Sequence, residues 1–175
     1  TVPTTDVTGT FTITNSTVGT GISAVSMTID PTRGYVFNLT ANATGYNYLS
    51  VPAPTIIAGT SGSTRTCWVK CDPSTMISTS NSGNVMSSTG FALLFGNTNY
   101  MKLTYNNGVQ NAEPNYEGTG WVFYALTITS TAMTLYVNGN TTPVLTRTGT
   151  YATDTSNVRM GSYNLTASTG YNGLL

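Results

Sequence analysis

Residues 121–147 read WVFYALTITSTAMTLYVNGNTTPVLTR, and this stretch decides the fold. Val122, Tyr124, Leu126 and Ile128 alternate along one side of an extended segment, and MTLYV resumes the pattern after the short Ser130-Thr131-Ala132 connection. A period of two marks a half-buried strand, because successive side chains leave a strand on opposite faces. Asn138-Gly139 then accepts the positive φ values of a type I′ turn, so Trp121–Thr129, Met133–Val137 and Val144–Arg147 read as a three-stranded meander. Trp121, Phe123 and Ala125 make the other face of the first strand apolar too, which predicts a central strand covered on both sides.

Outward from this unit, similar short runs occur at Gly9–Thr14, Ile22–Ile29, Tyr35–Leu39, Tyr46–Val51, Thr64–Cys71, Phe91–Phe95, Tyr100–Tyr105 and Asn157–Gly161. Nowhere do apolar residues recur at helical spacing for three turns, so the chain reads as all-β. Trp68, Val69, Val122, Leu126, Ile128, Leu135 and Val137 are the expected core. Two polar stretches, Ser74–Gly90 and Asn106–Gly120, read as long loops, the usual seat of binding on a rigid sheet scaffold. Residues 1–20 read as a leader or linker and 21–175 as one domain.

The 175 residues can bury a core without disulfides, and Thr, Asn and Ser supply 69 of them while only 7% are charged. Six basic residues spread against six acidic ones leave no positive stripe for phosphates, so nucleic acid is an unexpected partner. No apolar run reaches the roughly 18 residues of a membrane span, and the start lacks the pattern of a signal peptide, so the chain reads as a mature or excised segment without membrane insertion. Cys67 and Cys71 fall in one extended run, about 13 Å apart at ~3.3 Å per residue, too far for a mutual disulfide. They are expected to be free thiols.

The order GYVFNL, YNYLSVP, TRTCWVKCDP, GTGWVFYALTI, MTLYVNG, NVRMGSY and GYNGLL resembles the laminin-G-like, pentraxin-like branch of the concanavalin A-like lectin/glucanase superfamily over residues 33–175. The resemblance implies an antiparallel two-sheet jelly-roll sandwich. It also implies a further strand after the Tyr171–Leu175 segment, whose lack would leave an unpaired edge. The Thr-, Ser- and Asn-rich composition is similar to that of surface proteins of giant algal viruses and of secreted adhesins, which implies an extracellular or virion-surface location.

Without histidine neither a Ser-His-Asp triad nor a Cys-His pair can form, and no phosphate-binding glycine motif is present. The carboxylate run that glucanases of the resembled superfamily carry on one strand is absent, and the two glutamates, Glu113 and Glu117, sit in a Pro- and Gly-containing loop. No catalytic site and no cofactor are therefore expected. Calcium is the one metal left open, with Asp30, Asp72 and Asp154 available, although Asp30 and Asp72 precede proline and read as turn residues.

Sugar recognition needs an aromatic face and amides or hydroxyls around it. Tyr46, Tyr48, Asn97, Asn99, Tyr100, Asn107, Asn115 and Tyr116 lie in or beside Asn-rich segments and form the candidate ligand-binding set, with Asn47 and Asn106 close by. Strand and turn propensity explain the same residue types. The leading expectation is a non-catalytic, surface-exposed module that binds a glycan or cell-surface polysaccharide. Rival expectations are an architectural capsid or fibre component that contacts other copies or structural proteins of an assembly, and an atypical polysaccharide-cleaving enzyme.

Overall fold

The alternating segments close into two antiparallel sheets. The structure, a computed structural model, describes residues 14–19, 23–42, 45–51, 62–71, 83–88, 91–96, 100–105, 111–114, 120–150, 157–161 and 173–175. In chain order the strands are β1 (Thr14–Gly19), β2 (Ser26–Asp30), β3 (Gly34–Leu39), β4 (Ala41–Asn42), β5 (Gly45–Val51), β6 (Ser63–Cys71), β7 (Gly83–Ser87) and β8 (Phe91–Gly96). They continue with β9 (Tyr100–Tyr105), β10 (Asn111–Pro114), β11 (Val122–Ile128), β12 (Ala132–Val137), β13 (Leu145–Thr148), β14 (Val158–Met160) and β15 (Gly173–Leu174). One sheet runs β1-β5-β14-β7-β8-β9-β10 with β4 also against β5, and the other runs β13-β12-β11-β6-β15-β3-β2. No helix occurs among the described residues.

The meander forms as its sequence dictates. β11 pairs with β12 from Tyr124↔Val137 to Ile128↔Met133, and β12 pairs with β13 through Leu135↔Leu145. Asn138 at φ 53° and Gly139 at φ 74° build the turn, and the Asn138 side chain accepts the Phe123 N–H at 2.9 Å. At the other connection the Thr129 hydroxyl accepts the N–H groups of Thr131 and Ala132. Leu126, Leu135 and Leu145 thus form one row across three strands and join Leu39, Leu49, Val69, Val85 and Met133 in the core between the sheets.

Four expectations are corrected. Trp68, expected in the core, is 39% exposed: Val69 on its flank takes the inward direction, so alternation turns the indole outward. Phe123 and Ala125 are only half-buried, so β11 is central yet covered fully on one face alone. The two long loops each contain a strand, β7 and β10, which polar composition concealed. Thr14–Gly19, expected within a leader, pair along their whole length with β5.

The C-terminal residues leave no gap where they run. Gly173 and Leu174 lie between β3 and β6, and Leu175 exchanges two backbone hydrogen bonds with Phe37 at 2.9 and 3.0 Å. The expected run Gly9–Thr14 falls outside the described residues except for Thr14.

Gly161, just past β14, shows how closely the layers approach. It has φ +94°, and a methyl group added there would meet Leu39 Cδ2 at 2.5 Å and the Asn47 carbonyl oxygen at 3.0 Å. Gly161→Ala is expected to destabilise the fold by about 1–3 kcal/mol through backbone strain alone, measured by denaturant unfolding. A neutral effect would mean that this segment sits elsewhere.

Candidate functional site

Side chains of β5 that do not point into the core face outward from the eight-stranded sheet. Leu49 is fully buried and pairs with Met160, which packs on the core, so Tyr48, Ser50 and Arg159 take the outward direction. Ser50, Arg159 and Ser87 are Cα partners in one row across β5, β14 and β7, but Ser50 and Ser87 are buried and only Arg159 is half-exposed. Tyr48 is half-buried, pairs with Ser16 on β1, and rests against Tyr46 with ring centroids 6.0 Å apart and planes tilted by 46°. A hydroxyl-bearing ring backed by a second ring, with the half-buried Ser16 hydroxyl and Arg159 guanidinium on the same face, can stack on and hydrogen-bond a polyhydroxylated ligand.

The expected ligand set divides on inspection. Tyr46 has 0% exposure and offers no surface to a ligand, so its part is to support Tyr48. Tyr100 opens β9 on the same sheet, opposite Gly96 and Pro114. Four strand positions separate β5 from β9, about 19 Å at the usual pitch, so Tyr48 and Tyr100 cannot meet one sugar ring. Asn97, Asn99, Asn107, Asn115 and Tyr116 lie outside the described residues. Tyr100 is flanked by Gly96 on β8 and Pro114 on β10, so these strand ends share one end of the sheet.

Asn47, beside the two tyrosines of β5, and Asn15, on β1, bond to backbone. Asn47, 1% exposed, accepts the Thr40 N–H at 2.8 Å and donates to the Ser23 carbonyl at 3.0 Å and the Thr40 hydroxyl at 2.9 Å. Asn15 exchanges two hydrogen bonds with the Val25 backbone at 2.9 and 3.0 Å, in the manner of a strand neighbour.

The outward side of the other sheet holds a cluster that sequence reasoning missed. The Asp30 carboxylate, 3% exposed, accepts the Thr32 and Arg33 N–H groups and pairs with Lys70 Nζ at 3.2 Å. The Asp-Pro-Thr-Arg order was a legible turn signal, but the lysine forty residues away was not. Burial pushes the Asp30 carboxyl upward, yet the Thr32 amide, the Trp121 indole, Lys70 and the Arg33 amide together outweigh this and hold it below its ordinary 3.8.

A carboxylate held low stabilises the fold above its unfolded value and loses that contribution as pH falls through the lowered one. Thermal stability is therefore expected to hold down to about pH 5 and to fall below about pH 4, with the fall reduced in Asp30→Asn. An identical acid profile in the variant would remove Asp30 from the account. Asp72 and Asp154, the other residues considered for calcium, lie outside the described residues. Among the described residues no three His, Cys, Asp or Glu side chains gather in metal-binding range.

The same turn carries Arg33, whose guanidinium carbon stands 3.3 Å over the Trp68 ring, while Phe123 approaches that ring at 5.1 Å. Cation–π stacking and an aromatic pair thus hold an indole that lies outside the core. Cys67 is free and faces inward; burial pushes its thiol up to about 12, so it holds no thiolate at neutral pH.

Residues 43–175 match the family model described as the concanavalin A-like lectin/glucanases superfamily, of laminin G type. The chain belongs to this superfamily. No curated protein matches it in sequence. Among solved structures it is similar to domain 4 of AbnA, an extracellular GH43 arabinanase from Geobacillus stearothermophilus, determined in complex with arabinotriose. That match has 12% identity and a TM-score of 0.64, covering 98% of this chain and 82% of that one. It is also similar to the binding domain of botulinum neurotoxin serotype D, with 15% identity and a TM-score of 0.57, covering 88% of this chain and 40% of that one. A conserved carbohydrate esterase from Shiga toxin-encoding bacteriophage phi24B matches at 12% identity and a TM-score of 0.57, covering 95% and 87%. At these identities the likenesses establish the fold.

Proposed function

We propose that this chain is a non-catalytic glycan-recognition module displayed on a cell or virion surface. The observation that carries the reading is Tyr48, a half-exposed ring held by the buried Tyr46 on a sheet face that also bears Ser16 and Arg159. The low charge of the chain supports it, since a surface that relies on hydroxyls and amides for solubility suits a neutral polyhydroxylated partner. The arabinotriose-bound arabinanase domain supports it as a member of the same fold that takes a sugar.

Titration of a bound oligosaccharide against Tyr48→Ala tests the site. Removing a ring that stacks on a sugar is expected to weaken binding by about 1–3 kcal/mol, by analogy with aromatic–base stacking, with the variant still folded by circular dichroism. Unchanged affinity would place the ligand elsewhere. A second reading, a structural component that contacts other copies, rests on Ile29 and Tyr35, a cross-strand pair exposed to 67% and 72%. Concentration-dependent self-association without any glycan affinity would favour it.

A further inference from the structure

β2 closes one end of the seven-stranded sheet, and among the described residues no strand pairs with its free side. Its ladder to β3 runs from Ser26↔Asn38 to Asp30↔Gly34 without a bulge. A free strand edge presents unpaired N–H and C=O groups, and proteins blunt such edges with charge, proline or a covering segment. The other three sheet edges carry these devices: β13 has Arg147, β10 has Glu113 and Pro114, and β1 is met by Val25, whose backbone exchanges two hydrogen bonds with the Asn15 side chain. β2 reads Ser-Met-Thr-Ile-Asp, and its one charge is already neutralised, because Asp30 pairs with Lys70.

The two sides of β2 differ. Asp30 meets Lys70, and Lys70, Leu174, Asn38 and Ser26 are Cα partners in one row, so Ser26, Thr28 and Asp30 share the outward side. Met27 and Ile29 take the inward side, where Met27 pairs with Phe37, which packs on the core. Ile29 and its partner Tyr35 lie on that side too, yet both stay largely exposed, so the opposite sheet stops short of them. Apolar side chains beside open backbone donors and acceptors are what an added strand uses.

This strand is complementary to itself. Two copies of β2 running antiparallel about a two-fold axis at Thr28 set Thr28 opposite Thr28, Met27 opposite Ile29 and Ser26 opposite Asp30. Hydroxyl then meets hydroxyl, and Phe37 and Met27 of one copy continue into Ile29 and Tyr35 of the other as one apolar row. Each Asp30 faces a serine, so no like charges are opposed along the pair.

We propose that β2 is a self-association edge, through which two copies of this chain join their seven-stranded sheets into one continuous sheet. The proposal rests on the second reading above, in which Ile29 and Tyr35 contact other copies, and it names the partner and the register of that contact. Tyr48 lies on the other sheet, outside the interface. Thr28→Cys tests the register, because antiparallel Cα partners stand about 4.5–5.5 Å apart, within the span of a disulfide. Mild oxidation of the whole chain is expected to give a covalent dimer in which peptide mass spectrometry finds position 28 linked to position 28, a bond that only two chains can form. Cys67 does not compete, since it faces inward and holds no thiolate at neutral pH.

Analytical ultracentrifugation of the parent chain is expected to show a monomer–dimer equilibrium, weakened about tenfold or more in Ile29→Lys, which puts a charge on the edge. Ile29 is exposed, so folding of that variant is expected to survive and is checked by thermal melting. A monomer at every concentration overturns the proposal and the second reading together. Association that is lost in Ile29→Lys, but with no link between the two positions 28 in Thr28→Cys, overturns the strand pairing and leaves the second reading standing. Association that Ile29→Lys does not weaken overturns the proposal and puts the contact between copies elsewhere.

Discussion

Replacing Leu126 with alanine is expected to cost about 2–5 kcal/mol of folding stability, the range seen when a buried leucine is truncated in a core that cannot collapse around the gap. Leu126 is 1% exposed and is flanked in its row by Leu135 at 0% and, beyond it, by Leu145 at 6%. Its neighbours are held by strand pairing on both sides, β6 and β12, so the backbone cannot shift to fill the cavity without breaking ladder hydrogen bonds. Urea unfolding should show a lower midpoint with an unchanged slope. An effect under about 1 kcal/mol would mean that Leu126 does not sit between the sheets.

Asn47→Ala is expected to be nearly as damaging, at about 2–4 kcal/mol, although it removes a polar side chain. The buried amide holds three partners, and its loss opens a cavity and leaves the half-buried Thr40 N–H without its acceptor, at a cost of about 1–3 kcal/mol, while the carbonyl of the exposed Ser23 can turn to water. Because Asn47 also accepts the approach of Gly161 through its backbone oxygen, the disturbance reaches the junction of β5 and β14. Oligosaccharide affinity per folded molecule should not change, since the side chain is enclosed. A stable variant with lost affinity would reverse the assignment and place Asn47 among the ligand contacts.

These two residues mark where the sequence was legible and where it was not. Strict alternation around Leu126 is a local signal, and it placed β11, β12 and the turn at Asn138-Gly139 within a residue of their observed ends. β9 falls at Tyr100–Tyr105 as expected, for the same reason. β7 and β10 lie in polar sequence where pairing with β8 and β9, not hydrophobic pattern, makes the strand. Trp68 and Tyr46 show the limit for single residues: each is an aromatic in a strand, and only the sheet's surroundings decide that the first is exposed and the second enclosed.

The candidate site was less legible than the fold because asparagine has two uses. An amide beside a tyrosine suggests sugar hydroxyls, but the same amide mimics a peptide group, and Asn15, Asn47 and Asn138 are all spent on backbone partners. Tyr48 was in the expected set and is half-buried, next to the enclosed Tyr46. Arg159 on the same face was not, because a lone arginine in a short strand carries no spacing or motif that separates a surface charge from a contact.

The most direct test of glycan recognition is a glycan array probed with the folded 175-residue chain, read together with release of reducing ends from the glycans it retains. The account predicts saturable binding to a restricted set of glycans, with no reducing ends released. An array empty at all concentrations, or bound glycans that are cleaved, would contradict it.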